Sequence, residues 1–242
     1  MTLFQMLVAA IDRPAQAMAE VVARPRSWWL PAVLIIASLA ALTIVSAPYS
    51  VELANTRQAE LLERIAANLS PTEAEAVRSQ MKPTTVSQLV VSGLLGGAAT
   101  LALGWVVRAA LVQLLILLTG GHGSWGGTFA AAGVWSMLPD VARNLLQTIW
   151  VLVNQRAIEY AGLSRLVASG NWLTDSRNLL FNLLARIDPF TVWHVFLLTF
   201  AIAACAHVSK RKGAILAVLT WAILLGAGLL PTLLSRAVLG SV

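Results

Sequence analysis

Charge is what this sequence has least of. Only 12% of its 242 residues are charged, while 58% are hydrophobic; a soluble domain carries about 25% and about 45–50% respectively. With a mean hydropathy of +0.76, the chain holds more apolar surface than a soluble core of this length can bury, so lipid must cover the rest. Cysteine is nearly absent as well. The single Cys205 excludes an intrachain disulfide and, lying in an apolar run, reads as a small hydrophobe. The three histidines, His122, His194 and His207, have no second ligand at zinc spacing, since Cys205 and His207 point to different faces of a helix. No metal site and no cofactor is expected. Acidic residues are few, leaving a formal charge of +6. The basic residues are dispersed rather than gathered in a stripe, which argues against nucleic acid and for the flanks of membrane spans. There is no internal repeat, and residues 1–10 are too short an apolar stretch, without a basic start, for a signal peptide.

What is present is five long apolar runs, with the charges crowded between them. Hydrocarbon has no partner for a stray charge or a free amide, so the pattern predicts an all-α, polytopic membrane protein with five transmembrane helices. The first span is 29–48, bounded by Trp28 and Trp29 on one side and Tyr49 on the other. Its residues rise about 30 Å, one bilayer core. The second run, 86–119, is too long for one straight crossing; Gly93, Gly96 and Gly97 mark a kink or an exposed first portion, with the membrane part at 97–118. The remaining spans are 126–153, 189–208 and 213–234. Residues 1–28 precede this 29–242 membrane domain as surface-lying helices: Leu3, Met6, Leu7 and Ile11 share a helical face, and Asp12 and Pro14 open a second helix over 15–23.

Lys210, Arg211 and Lys212 form the densest basic cluster, between the fourth and fifth spans, and Arg24 and Arg26 stand before the first. Five crossings put both sites on one side, which the positive-inside rule makes the cytoplasm. The 120–125 turn is then cytoplasmic, and the connections 50–85 and 154–188 and the C-terminus lie outside. In the first connection Leu61, Leu62, Ile65 and Leu69 recur at helical spacing. Ser70-Pro71-Thr72-Glu73 then opens a short second helix through Val77 and Met81 as a capping box with proline at its first position. Asn68-Leu69-Ser70 matches the glycosylation pattern. In the second connection Leu179, Leu180, Leu183, Leu184 and Ile187 form an apolar stripe beside Arg177 and Arg186, the pattern of a helix lying in the interface.

Three charges sit inside spans: Arg108, Asp140 and Arg143. Counting from the turn, Arg108 and Asp140 reach similar depth, roughly 18–20 Å along their helices. An Arg108–Asp140 ion pair is therefore expected, with Arg143 on the same face able to share the carboxylate. Pro139 frees a carbonyl that an arginine could also satisfy. These charges read either as an ion or proton path or as a clamp between the second and third spans; a single acidic residue makes a poor relay, which favours the clamp. The string Gly121, His122, Gly123, Ser124 and Trp125 is a candidate partner-docking turn. It lacks the Lys-Ser/Thr ending of a phosphate-binding loop, and His122 stands where a nucleophile elbow needs its first glycine. The plainer reading is a tight turn with an interfacial tryptophan. No catalytic residue is assigned.

Taken together, three stretches resemble the Yip family of Ypt-interacting-protein type membrane proteins, its bacterial members in particular. They are Arg24-Pro25-Arg26-Ser27-Trp28-Trp29-Leu30-Pro31, the glycine-rich 120–125 turn followed by Trp135-Ser136-Met137-Leu138-Pro139, and Ile187-Asp188-Pro189-Phe190-Thr191-Val192-Trp193. The resemblance implies five spans with a cytoplasmic N-terminus. It implies partners rather than catalysis: small GTPases for eukaryotic members, which use a long N-terminal region where this chain has about 28 residues, and MacB-type ABC exporter components for bacterial relatives. The leading expectation is thus a non-enzymatic accessory or scaffold protein of the bacterial inner membrane. Its partners would be the lipid bilayer and another membrane protein, an ABC permease with its ATPase, or a second copy of itself. The alternative is a transporter or channel subunit for a small solute, ion or lipid, using Arg108, Asp140 and Arg143. An intramembrane enzyme has least support.

Overall fold

The computed structural model describes residues 1–67, 69–80 and 82–239, and the side chains of these except 80 and 235–239. Asn68 of the glycosylation pattern and Met81 of the second outer helix lie outside the described residues. Every regular element described is helical. Among the described residues, four helices are long and apolar enough to cross a bilayer: Pro25–Ala66, Val86–Leu118, Pro189–Ala206 and Lys210–Leu234. The chain forms two compact units, one of Met1–Ile36, Thr100–Arg143 and Glu159–Val242, the other of Ala37–Ala99 and Asn144–Ile158.

The first unit begins with α1 (Leu3–Asp12) and α2 (Pro14–Ala23). Thr2 and Gln5 close a capping box on α1, with Gln5 N donating to Thr2 Oγ1 at 3.2 Å and Thr2 N to Gln5 Oε1 at 2.8 Å. These helices do not merely lie on the surface. Met6, Met18 and Val21 are fully buried in a core with Leu197, Ile202 and Ala217, and the expected stripe splits, because Ile11 remains 65% exposed. Ala9, Ala10 and Ala17 cluster between α1 and α2; their small side chains let the pair close and send Met6 and Met18 inward. The core is completed by α10 (Pro189–Ala206), α11 (Lys210–Leu239) and the later turns of α5 (Val86–Leu118). Short α8 (Trp172–Arg177) and α9 (Leu179–Leu184) are capped by the side chains of Asn171 and Asn178.

The second unit holds α3 (Trp29–Ala66) from Ala37 onward, and the helix runs on far past the expected end at Pro48. Its 38 residues make about 57 Å, nearly twice a bilayer core. Pro48 removes one hydrogen bond, but the helix is held beyond it: Asn55 donates to Thr84 O at 3.2 Å and accepts from Thr84 N at 2.9 Å. Nor do the glycines break α5, which continues unbroken through them. A Cβ on Gly93 would lie 2.9 Å from Thr43 Cγ2, and one on Gly97 3.0 Å from Leu39 Cδ2, so both are close-packing positions against α3. Short α4 (Pro71–Gln80) opens with the expected capping box, Ser70 N to Glu73 Oε2 at 3.0 Å. Hydrogen bonds from Ser70 hold the Glu73 carboxyl below its ordinary pKa.

The third apolar run is not one helix. It is α6 (Trp125–Thr128), a π turn over Phe129–Val134, a 3₁₀ turn over Trp135–Met137, and α7 (Pro139–Asn154).

Candidate functional site

A break in a helix frees carbonyls, and here each one named has a donor. Ser136 Oγ donates to Ala132 O at 2.7 Å. Leu138 N takes Trp135 O at 3.1 Å, the carbonyl that Pro139, lacking an N–H, leaves open. Arg108 Nη1 lies 3.5 Å from Gly133 O. His194 Nδ1 lies 2.8 Å from Ser136 O; a carbonyl only accepts, so Nδ1 carries the proton. At Gly133 the segment lies close against α5: a Cβ there would meet Trp105 O at 3.0 Å and Ala109 Cβ at 3.3 Å.

Beside the break, Arg143 holds two carboxylates. Its Nη1 donates to Asp140 Oδ1 at 2.7 Å, its Nε is 2.9 Å from Asp188 Oδ2, and its Nη2 donates to Asp188 Oδ1 at 3.0 Å and to Thr191 Oγ1 at 3.2 Å. Asp188 is also the N-cap of α10, accepting from Thr191 N at 2.7 Å. Burial pushes the Asp188 carboxyl up, but the Thr191 amide and the Arg143 guanidinium together hold it below its usual range. The structure thus brings Asp140 and Arg143 together and leaves Arg108 against the π turn, where Asp140 acts on it across space rather than by contact. Sequence reasoning missed Asp188, Ser136 and His194 as partners. Asp188 stood before Pro189, a cap signal, but nothing local said which arginine would reach it.

The other candidate residues meet at one end of the first unit. Gly120 takes a left-handed turn with φ +73°, and the glycines after it are contact points. A Cβ on Gly123 would lie 3.0 Å from Cys205 O, on Gly126 3.4 Å from Pro25, and on Gly127 3.2 Å from Val22. Ser124 caps α6 through Gly127 N at 3.2 Å. Gln113 ties the turn down, donating to Gly123 O at 2.9 Å and accepting from Thr128 Oγ1 at 2.6 Å. Lys212 Nζ donates to Thr119 O at 2.9 Å, so it caps α5 rather than standing free. Lys210 lies over the Phe200 ring at 5.6 Å, and Arg211 is exposed. Trp125 is 48% exposed, and His122 is exposed as well. The segment before α3, the glycine turn and the basic cluster therefore share one surface.

Long apolar helices and a clamped, charge-bearing break define an integral membrane protein of the all-helical, polytopic class. The chain belongs to the Yip1 domain family, whose model matches residues 8–230. No curated protein and no solved structure matches it.

Proposed function

We propose that this protein is a non-enzymatic accessory or scaffold subunit of the bacterial inner membrane that holds a partner complex, with a MacB-type ABC exporter as the first partner to test. It crosses the bilayer five times, N-terminus in the cytoplasm, with 125–154 as the third crossing. That crossing is supported by the carbonyl accounting, since irregular backbone at membrane depth is tolerated where its polar groups are satisfied within the protein. The observation that carries the scaffold reading is the pairing of Arg143 with both Asp140 and Asp188. A transport path needs charges that face water or substrate; these face each other. The handles left for a partner are Trp125, His122 and Arg211, on the surface shared by the glycine turn and the basic cluster. The test is affinity purification of the tagged full-length protein in gentle detergent, with mass spectrometry of what accompanies it. Stoichiometric recovery of an ABC permease and ATPase, reduced in Trp125→Ala and Arg211→Glu variants, is expected. A monodisperse protein that brings nothing down opposes the reading.

A further inference from the structure

Arg108 is the intramembrane charge that the clamp does not use. Arg143 already occupies both neighbouring aspartates at 2.7 and 2.9 Å. What remains for Arg108 is Gly133 O at a long 3.5 Å, and its buried Nε has no acceptor. One turn earlier, on the buried face of α5, Trp105 Nε1 is a second buried donor without one. Both unmet groups are donors, so their complement is a group rich in acceptors, and beside a guanidinium that group is an oxyanion.

Its route is set by the face of α5. Trp105 and Ala109 are buried, while Leu103, Val106 and Val107 are exposed and apolar. Arg108 lies on the row between these faces and is itself half-buried. Gly104, one turn away on that row, has no atom within 4 Å of where a Cβ would stand. The row is therefore notched beside the guanidinium and flanked by apolar surface, which fits entry from the bilayer. We propose that the Gly104 notch and Arg108 form a binding site for the oxyanion of an anionic amphiphile, a phosphate or carboxylate headgroup. The site is separate from the partner-docking surface and stands or falls independently of it.

The test is native mass spectrometry of the full-length protein in gentle detergent with added phosphatidylglycerol or phosphatidylcholine, and with inorganic phosphate as competitor. Wild type is expected to retain the anionic lipid about tenfold better than the zwitterionic one, the value of one charge-assisted contact. Gly104→Leu, which fills open space and so leaves folding intact, and Arg108→Gln should both lose that preference. Gel filtration reports folding; where Arg108→Gln does not fold, Gly104→Leu decides. Displacement by millimolar phosphate assigns the site to a free oxyanion, and resistance to it assigns the site to the lipid. Equal retention of the two lipids overturns the proposal. So does a preference that persists in the variants, since it then belongs to the basic cluster at Lys210–Lys212.

Discussion

Arg143 joins segments 45 residues apart by donating to Asp140 and Asp188, and its side chain is only 26% exposed. Removing one partner of such a pair leaves carboxylates uncompensated, at about 3–5 kcal/mol. Arg143→Gln should therefore lower the thermal midpoint in detergent far more than Arg13→Gln, whose partner Asp12 is exposed. The low pKa of Asp188 sets a sign as well. Its folded pKa lies below the unfolded value of about 3.9, so its stabilisation is present above about pH 4 and is lost as pH falls through the lower folded value. A melt series from pH 6 to below about pH 4 should show that loss, and Asp188→Asn should flatten it. Arg108, Asp140 and Arg143 were legible because each stands in an apolar run. Their pairing was not. Residue counts give depth along a helix, but the π turn adds about one residue and rotates the later part of the segment by about 100°.

Elements were legible as runs and obscure at their ends. The apolar stretches had to be helices, since hydrocarbon leaves the backbone no other partner. Pro48 was read as an end, although α3 runs on through it to Ala66. The break in the third run left a weak trace, Gly133 and Pro139 six residues apart, because a π turn is fixed by packing against α5 rather than by local propensity. Gly133→Ala would push a methyl against Trp105 O, 3.0 Å away, and should cost about 1–3 kcal/mol in denaturant or thermal unfolding. Gly162 is more constrained, with φ +53° and a Cβ position 2.6–2.8 Å from the carbonyls of Ile187, Leu184 and Ala185. Gly162→Ala should destabilise the α8–α9 region by at least as much, seen as faster amide exchange there, while Gly170→Ala, with open space around it, should pay only for its φ.

Across the whole molecule, composition announced a membrane protein, and the order of its motifs pointed to the family that the domain match establishes over residues 8–230. The Arg24–Trp28 segment, the glycine turn and the Lys210–Lys212 cluster gather at one end of the first unit. What composition could not convey is that α1 and α2 are built into the core, because Met6 and Met18 look in sequence like any amphipathic stripe. A scaffold with five crossings requires the clamped, broken segment 125–154 to be one of them. Single cysteines at its two ends, His122→Cys and Gln155→Cys in a Cys205→Ser background, can be labelled in sealed cells and in inverted vesicles with a membrane-impermeant maleimide. Opposite sidedness is expected, with position 155 labelled from outside and position 122 only in inverted vesicles. Labelling of both from the same side would contradict it.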